Sequence, residues 1–506
     1  MEQELIIKSV IQNVGIPDKF VRNTIELLQE GSTIHFIARY RKEKTNSLDE
    51  EQLRNIENKF EYYTELEKRK KTVLKSIKEQ DKLTPELEKR IIECREKLKL
   101  EDIYLPYKPK RRTKATIAKE KGLEPLADII LVDQITEGVK ESIIAGFINP
   151  EKKVYSSEDV IIGTLDIISE KLSEVVEVRG ILREYTLNKG NIISKPQKEW
   201  VGKKSKYEDY YSLSEPIKKS PSHRILAIRR GAKEGVLSWK IEVEEVIAFS
   251  LIEELIVKNK KSIFFEELLI AVRQSYKKML CPSIELEVFM LKLKEAELEA
   301  ISVFSKNLRK LLLAPPAGHK NILGVDPGYR AGCKMAVIDS NGNFKDNDQM
   351  FPHPPQNKSS SAEKILVNLI KKYKIDLVAI GHGTASKETD VFVKEIVKKN
   401  RLDCKVVVVN EAGASVYSAS ATAKREFPDL DILVRGAISI ARRLQDPLSE
   451  LIKIDPKSIG VGQYQHDVNQ AELKKNLGFV VESCVNHVGV DLNTASQDIL
   501  SFISGV

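Results

Sequence analysis

The sequence predicts a multidomain, mainly α-helical protein with one α/β domain in its C-terminal half, and three observations predict it. The chain has 506 residues, whereas single cores rarely grow beyond about 250–300. Up to Ala314, most segments carry apolar residues at three- and four-residue spacing with charges between them, which is the helical signature. Beyond the proline pair Pro315–Pro316, the pattern changes to short apolar runs of strand length separated by turns and amphipathic stretches. That pair, with "AGHKN" behind it, is the clearest predicted domain boundary.

Residues 1–125 read as a helical domain. "IIKSVIQNVGI", "KFVRNTIELLQEG" and "EYYTELEKRKKTVLKSIKEQ" are amphipathic at helical spacing. "TPELEKRIIECREKLKL" opens with Thr84 as N-cap, Pro85 in the first turn and Glu86 near the positive end of the helix dipole. Short helices, one closed by Gly31, suit a helix-turn-helix-like bundle. In "YLPYKPKRRTKA", Pro106 and Pro109 rule out a continuous helix.

Residues 126–316 form a predicted helical central region. "EDVIIGTLDIISEKLSEVVEVRGILREYTL" gives one or two helices, and "IELEVFMLKLKEAELEAISVFSKNLRKLLL" a long, charge-laced one. Between them, "KEWVGKKSKYEDYYSLSEPIKKSPSHRILAIRRG" reads as a basic, aromatic connection.

Residues 321–448 read as α/β. "ILGVD" and "GCKMAVID" are predicted strands, with Asn341–Gly342 a hairpin signal after the second. Helix "SAEKILVNLIKKYK", strand "IDLVAIG", helix "KETDVFVKEIVKKN", strand "CKVVVVN" and two further helices follow, predicting a mixed sheet with helices on its faces. Residues 449–506 read as helical.

Composition excludes several classes. Lys+Arg 82 against Asp+Glu 74 gives +8, a mild surplus that does not by itself imply nucleic acid. The 5 cysteines are scattered and never spaced as C-x-x-C, which argues against disulfides or a zinc ribbon and fits a reducing compartment. The opening "MEQELIIKSVIQ" has early acids and no apolar core, so no signal peptide is expected. No apolar run is long enough to span a bilayer, so the predicted location is cytoplasmic.

The stretch "NILGVDPGYRAGCKMAVID" carries the chemical question. An aspartate at the tip of a first strand, Asp326, opens ribonuclease H-type nucleases, some ATP-binding folds, and hairpins with no chemistry at all. The ATP reading lacks a second phosphate loop, and no Walker A loop is present.

Several long runs, in order, carry a resemblance. They are "FIARYRKE", "EDIYLPYKPKRRTKATIAKEKGLEPLA", "PSHRILAIRRG", "LGVDPGYRAGCK", "EAGASVYSAS" and "RRLQDPLSELIKIDPKSIGVGQYQHDV". With them the chain resembles the Tex family of bacterial transcription-accessory proteins over essentially its whole length. The resemblance implies a helix-turn-helix-like N-terminal region, a YqgF (ribonuclease H-like) domain, helix-hairpin-helix elements and a final OB-fold RNA-binding domain. Two departures follow. The chain stops at Val506 within an L-x-x-h-x-G-h hairpin motif matched by Leu500, Ile503, Gly505 and Val506, before the second hairpin helix and the OB fold; a truncated chain or a shortened homologue is expected, and an ending at a hairpin turn favours truncation. "GHGTAS" carries His382 where relatives typically carry Asn; a solvated loop histidine is the expected reading.

Ribonuclease H-like nucleases hold a pair of Mg2+ ions with three or four carboxylates, because hard oxygen ligands clamp the attacking and leaving oxygens of phosphoryl transfer. The YqgF and RuvC pattern implies an Asp on the first strand, a Glu ending a later strand and an Asp opening a late helix. Asp326 and Glu411 fill the first two places, but "V-D-x-x-A-A" becomes "VRGAIS", putting Arg435 at the third. A cation there is expected to occupy the metal's charge and could pair with Asp326 or Glu411. Asp446 lies roughly 16 Å further along the helix and cannot substitute. Asp429 and Asp431 precede the helix.

Two places suit nucleic acid. Lys108, Lys110, Arg111, Arg112 and Lys114 form an extended basic strip that can neutralise phosphates, with a wet linker as the bland reading. Tyr104 and Tyr107 beside it could stack on bases or simply pack. Gly460 and Gly462 in "SIGVG" could bring backbone N–H groups against phosphate, while "QYQHD" could instead pack that turn. A second basic group, around Arg224 in "KKSPSHRILAIRRG", is as readily structural.

The sequence therefore predicts a non-catalytic scaffold of the transcription machinery that contacts phosphates with little sequence preference. The implied partners are RNA or DNA and RNA polymerase or other parts of the transcription and translation machinery, with no membrane and no cofactor. The rival is a metal-dependent nuclease on structured DNA or RNA using Mg2+ or Mn2+. A third reading, a protein-docking platform, gains if the basic strip is buried or salt-bridged.

Overall fold

The computed structural model describes residues 2–489 and 497–503. It divides into two compact units, Met1–Ala296 and Glu297–Val506. The division falls inside the helix Cys281–Leu312 and not at Pro315–Pro316. The far half of that helix packs with the second unit, where Asn307 donates to the Val461 carbonyl (2.9 Å) and Arg309 to Ser483 (3.2 Å).

In the first unit, Glu2–Val14, Asp18–Gln29 and Ile34–Tyr40 lean on the long helix Glu50–Lys78. Asp49 and Gln52 start that helix as a reciprocal capping box. Gly31, at φ +89°, closes the second helix in the left-handed region that glycine enters without strain. Thr84 caps Pro85–Glu93 through the Leu87 amide, 3.2 Å away.

The central region is largely helical, as expected, and also carries a small sheet. Beyond helices Ser157–Ser173 and Val176–Lys189, strands β1 (Asn191–Pro196), β2 (Leu213–Pro216) and β3 (Leu237–Glu242) form an antiparallel sheet in the order β2-β1-β3. The strands are short, and β1 and β2 are mostly polar, so the period-2 signal survives only in β3, at Leu237, Trp239 and Ile241. "RILAIRRG" is no connection either: it lies in the helix Ser222–Lys233, with Ile225 to Ile228 buried.

The second unit carries a five-stranded mixed sheet in the order β6-β5-β4-β7-β8. Its strands are β4 (Ile322–Asp326), β5 (Cys333–Ile338), β6 (Phe344–Met350), β7 (Leu377–Gly381) and β8 (Lys405–Val409). β4, β5 and β6 pair antiparallel, whereas β4–β7 and β7–β8 pair parallel. Helices Ser359–Tyr373 and Ser386–Lys399 cover one face of the sheet, and Ile432–Gln445 covers the other. The sequence named no strand after the Asn341–Gly342 hairpin signal, and β6 is the partner strand of that turn. "FKDNDQM" is charged on both faces, which an edge strand tolerates; Asp346 there meets Lys372 (2.9 Å) and the Tyr373 hydroxyl (2.7 Å). β4 and the helix Ile432–Gln445 touch so closely that a Cβ on Gly324 would collide with the Ala437 carbonyl. That contact sets the site.

Candidate functional site

Asp326 ends β4, and Glu411 sits in the turn just after β8, so two parallel-paired strands with β7 between them bring the two carboxylates together. Burial pushes the Asp326 carboxyl up to about 6, and the Glu411 charge adds to the rise. The turn is held from beneath. Buried Arg443 donates to the carbonyls of Asn410 (2.9 Å) and Ala412 (2.7 Å), the residues flanking Glu411. Burial holds the Arg443 guanidinium below its usual range, and the charges of Glu450 and Glu411 oppose that. The Glu411 carboxylate lies against Gly381 and Gly383, where any side chain would collide with its oxygens.

The third position does not go to Arg435. A Cβ on Gly436 would stand 3.0 Å from Asp326 Oδ2, so glycine is what the helix presents to the aspartate. Arg435 points elsewhere and donates to the carbonyls of Phe427 (3.0 Å) and Pro428 (3.3 Å). It therefore fixes the chain ahead of its helix and does not occupy a metal's place. Asp431 caps the same helix through the Leu433 amide (2.8 Å), Asp446 caps the next through Ser449 (3.1 Å), and Asp429 is exposed. Among the described residues no group of three or more His, Cys, Asp or Glu side chains is placed to hold a metal ion. Two carboxylates alone do not fit the paired-Mg2+ arrangement.

His382 is exposed, and its amide bonds the Val409 carbonyl (2.9 Å). The neighbouring glycines of "GHG", not the histidine, shape the site. Gly381, Gly383, Gly436 and Arg443 were missed by sequence reasoning. The clustering of small residues in "IGHG" and "RGA" was the only signal for the glycines, and nothing local marked Arg443.

The basic strip runs extended between the 3-10 turn Leu105–Tyr107 and the helix Lys114–Glu120. Its five cations are not equivalent. Lys110 pairs with Glu174 and, at 3.3 Å, with Glu170; Arg112 pairs with Glu120 at 2.6 Å. Lys108, Arg111 and Lys114 face solvent. Tyr104 is buried with its hydroxyl 3.0 Å from Ser76 Oγ and Arg69 over its ring, so it packs and offers no face to a base. Tyr107 is half-buried. Arg224, in the second basic group, pairs with Glu215.

The two hairpin glycines also separate. A Cβ on Gly462 would collide with the Phe304 ring, so that glycine serves packing, whereas Gly460 faces open space. The Val461 amide between them is taken by Gln465 Oε1 at 3.0 Å. Gly505 and Val506 of the predicted hairpin motif lie outside the described residues.

A mostly helical chain holding a mixed-sheet domain with a two-carboxylate strand tip matches one set of family models. The Tex-like protein N-terminal domain covers residues 4–78, the Tex central region-like model 137–304, and the Tex protein YqgF-like domain 320–445. The Bacillus subtilis protein YdcI is 45% identical over 100% of this chain and 70% of its own length. The Neisseria gonorrhoeae transcriptional accessory protein Tex is 46% identical over 96% of this chain and 64% of its own length. The human S1 RNA-binding domain-containing protein 1 is 35% identical over 96% of this chain and 50% of its own length. The chain belongs to the Tex family, and it spans about two thirds of the length of these bacterial relatives. Among the described residues no helix is long and apolar enough to cross a membrane.

Proposed function

We propose that this chain is a nucleic-acid-binding transcription accessory scaffold whose YqgF domain does not cleave. The observation that carries the second half is Gly436, where a two-metal nuclease needs a carboxylate beside Asp326. No metal cofactor is required. Lys108, Arg111 and Lys114 meet the phosphates, with the open turn at Gly460 as an additional backbone contact. Neither group reads base edges, so sequence preference is weak. RNA or DNA is then the direct partner, in the setting of RNA polymerase or the wider transcription and translation machinery, within the cytoplasm. The names of the relatives, one a transcriptional accessory protein and another an S1 RNA-binding domain protein, agree with that setting.

A metal-dependent nuclease is the second reading, and the closeness of Asp326 to Glu411 is what favours it. End-labelled branched DNA and single-stranded RNA, incubated with Mn2+, separate the two. The scaffold gives retarded but intact substrate on a native gel and no products on a denaturing gel. Products that vanish in Asp326→Asn would overturn it.

A further inference from the structure

The helix Glu245–Ile256 reads "EVIAFSLIEELI" and is apolar around most of its circumference, yet only Ala248 and Ile252 are buried. Helices of that kind are normally enclosed. Val246 is 75% exposed, and Ile270, on the neighbouring helix Phe265–Ser275, is 49% exposed. Between these elements runs an open groove of about 550 Å3.

Each wall of the groove is a helical stripe. Val246, Phe249, Ser250 and Glu253 stand at i, i+3, i+4 and i+7 on one wall. Ile270, Arg273, Gln274 and Lys277 repeat the same spacing on the other, continued by Lys278. Two parallel stripes of this spacing are the shape into which a third helix lays its apolar edge. A stripe from i to i+7 is about 10 Å long, two turns of an occupant.

Charge chooses the occupant. One wall carries Arg273, Lys277 and Lys278 against the single acid Glu253 on the other, and Lys277 is partly answered by Glu245 at 3.2 Å. Arg273 and Lys278 have no ion pair among the described residues. The apolar lining residues are Val246, Ile270 and Phe249, and the Phe249 ring already meets Tyr276 edge-on at 5.2 Å, so the groove lacks the row of open aromatic faces on which bases stack. We infer that this groove docks an acidic amphipathic helix of a partner protein, with aliphatic anchors on Val246 and Ile270 and carboxylates toward Arg273 and Lys278. The inference is independent of whether the chain binds or cleaves nucleic acid.

The test uses the full chain and a fluorescein-labelled helical peptide with Leu at i, i+3, i+4 and i+7 and Glu at flanking positions, beside the same peptide with Lys for Glu. The acidic peptide should bind, with affinity about tenfold weaker for Val246→Asp and for the pair Arg273→Glu, Lys278→Glu. Val246 is exposed, so the variant keeps its fold, and an unchanged circular dichroism spectrum verifies that. Equal binding of the two peptides, or equal binding by wild type and Val246→Asp, overturns the inference. So does competition by a thymidine oligonucleotide that Val246→Asp abolishes, which would make the groove a nucleic-acid site. Sedimentation showing a wild-type dimer that Val246→Asp dissolves would assign the groove to a second copy and overturn it equally.

Discussion

Asp102 and Asp326 are the two aspartates whose surroundings differ most instructively. Asp102, in the first unit, is buried and faces two guanidiniums, Arg179 at 3.2 Å and Arg183 at 2.9 Å, which share Glu287 on their other side. Asp326, in the second, is half-buried and faces another carboxylate. A buried charge answered by opposite charges on hydrogen-bonding geometry holds elements together. A charge left beside a like charge does nothing for the fold, and such groups mark present or past sites of chemistry.

The largest effect should come from breaking the answered side. Asp102→Ala leaves two buried arginines with one carboxylate, and losing one partner of such a cluster costs about 3–5 kcal/mol. Both tryptophans, Trp200 and Trp239, lie in the same unit, so their fluorescence during denaturant unfolding reads the loss directly. A midpoint within experimental error of the wild type would mean the cluster is decorative.

The unanswered side should move the other way. The Asp326 value of about 6 lies above the ordinary aspartate value, so the native state binds the proton more tightly than the unfolded chain does. Stability therefore falls as pH rises through the window from about 4 to about 6. Asp326→Asn has no charge to bury. It should stabilise the YqgF domain by up to about 3 kcal/mol above that window and by little below it. Hydrogen exchange of the β4 amides at the two ends of the window measures it; slower exchange at low pH only would reverse the sign.

Gly436→Asp sharpens the comparison by adding a third unanswered carboxylate. The new Cβ arrives 3.0 Å from Asp326 Oδ2. Without divalent ions the variant should lose about 1–3 kcal/mol, from crowding and like charge. Mn2+ should restore part of that loss if three carboxylates now suffice as ligands, through preferential binding to the native state. Exchange rates of β4 with EDTA and with Mn2+ test both halves, and a loss that Mn2+ leaves untouched would show that Gly436 is not the missing ligand position.

That distinction also marks what the sequence could reveal. β4, β5 and β7 are runs of apolar residues buried between helix layers, and β8, an edge strand with only Val409 buried, is an unbroken valine run, so hydrophobicity alone announced all four. β6 and β2 are polar edge strands whose existence depends on a partner strand; the Asn341–Gly342 turn was the local hint for β6, and β2 had none. Asp326 and Glu411 were legible because strand tips fix their direction. Arg435 was mistaken for the facing residue because one position along a helix turns a side chain by about 100°, and only the contact of Gly324 with Ala437 sets the rotation.

The smallest effect concerns the basic strip, where the contrast between answered and unanswered charge recurs within one segment. Lys110 and Arg112 already hold carboxylates, so phosphate must displace Glu170, Glu174 or Glu120 to reach them. Lys108 and Arg111 face solvent. Removing a cation that contacts phosphate lowers the slope of log affinity against log salt by about 1, with little effect on stability. Lys108→Ala and Arg111→Ala should each show that change in binding to single-stranded RNA, and Lys110→Ala and Arg112→Ala a smaller one. Equal changes at all four positions would mean that the strip opens its ion pairs when nucleic acid arrives. Its carboxylate partners would then be competitors for the site and not part of the fold.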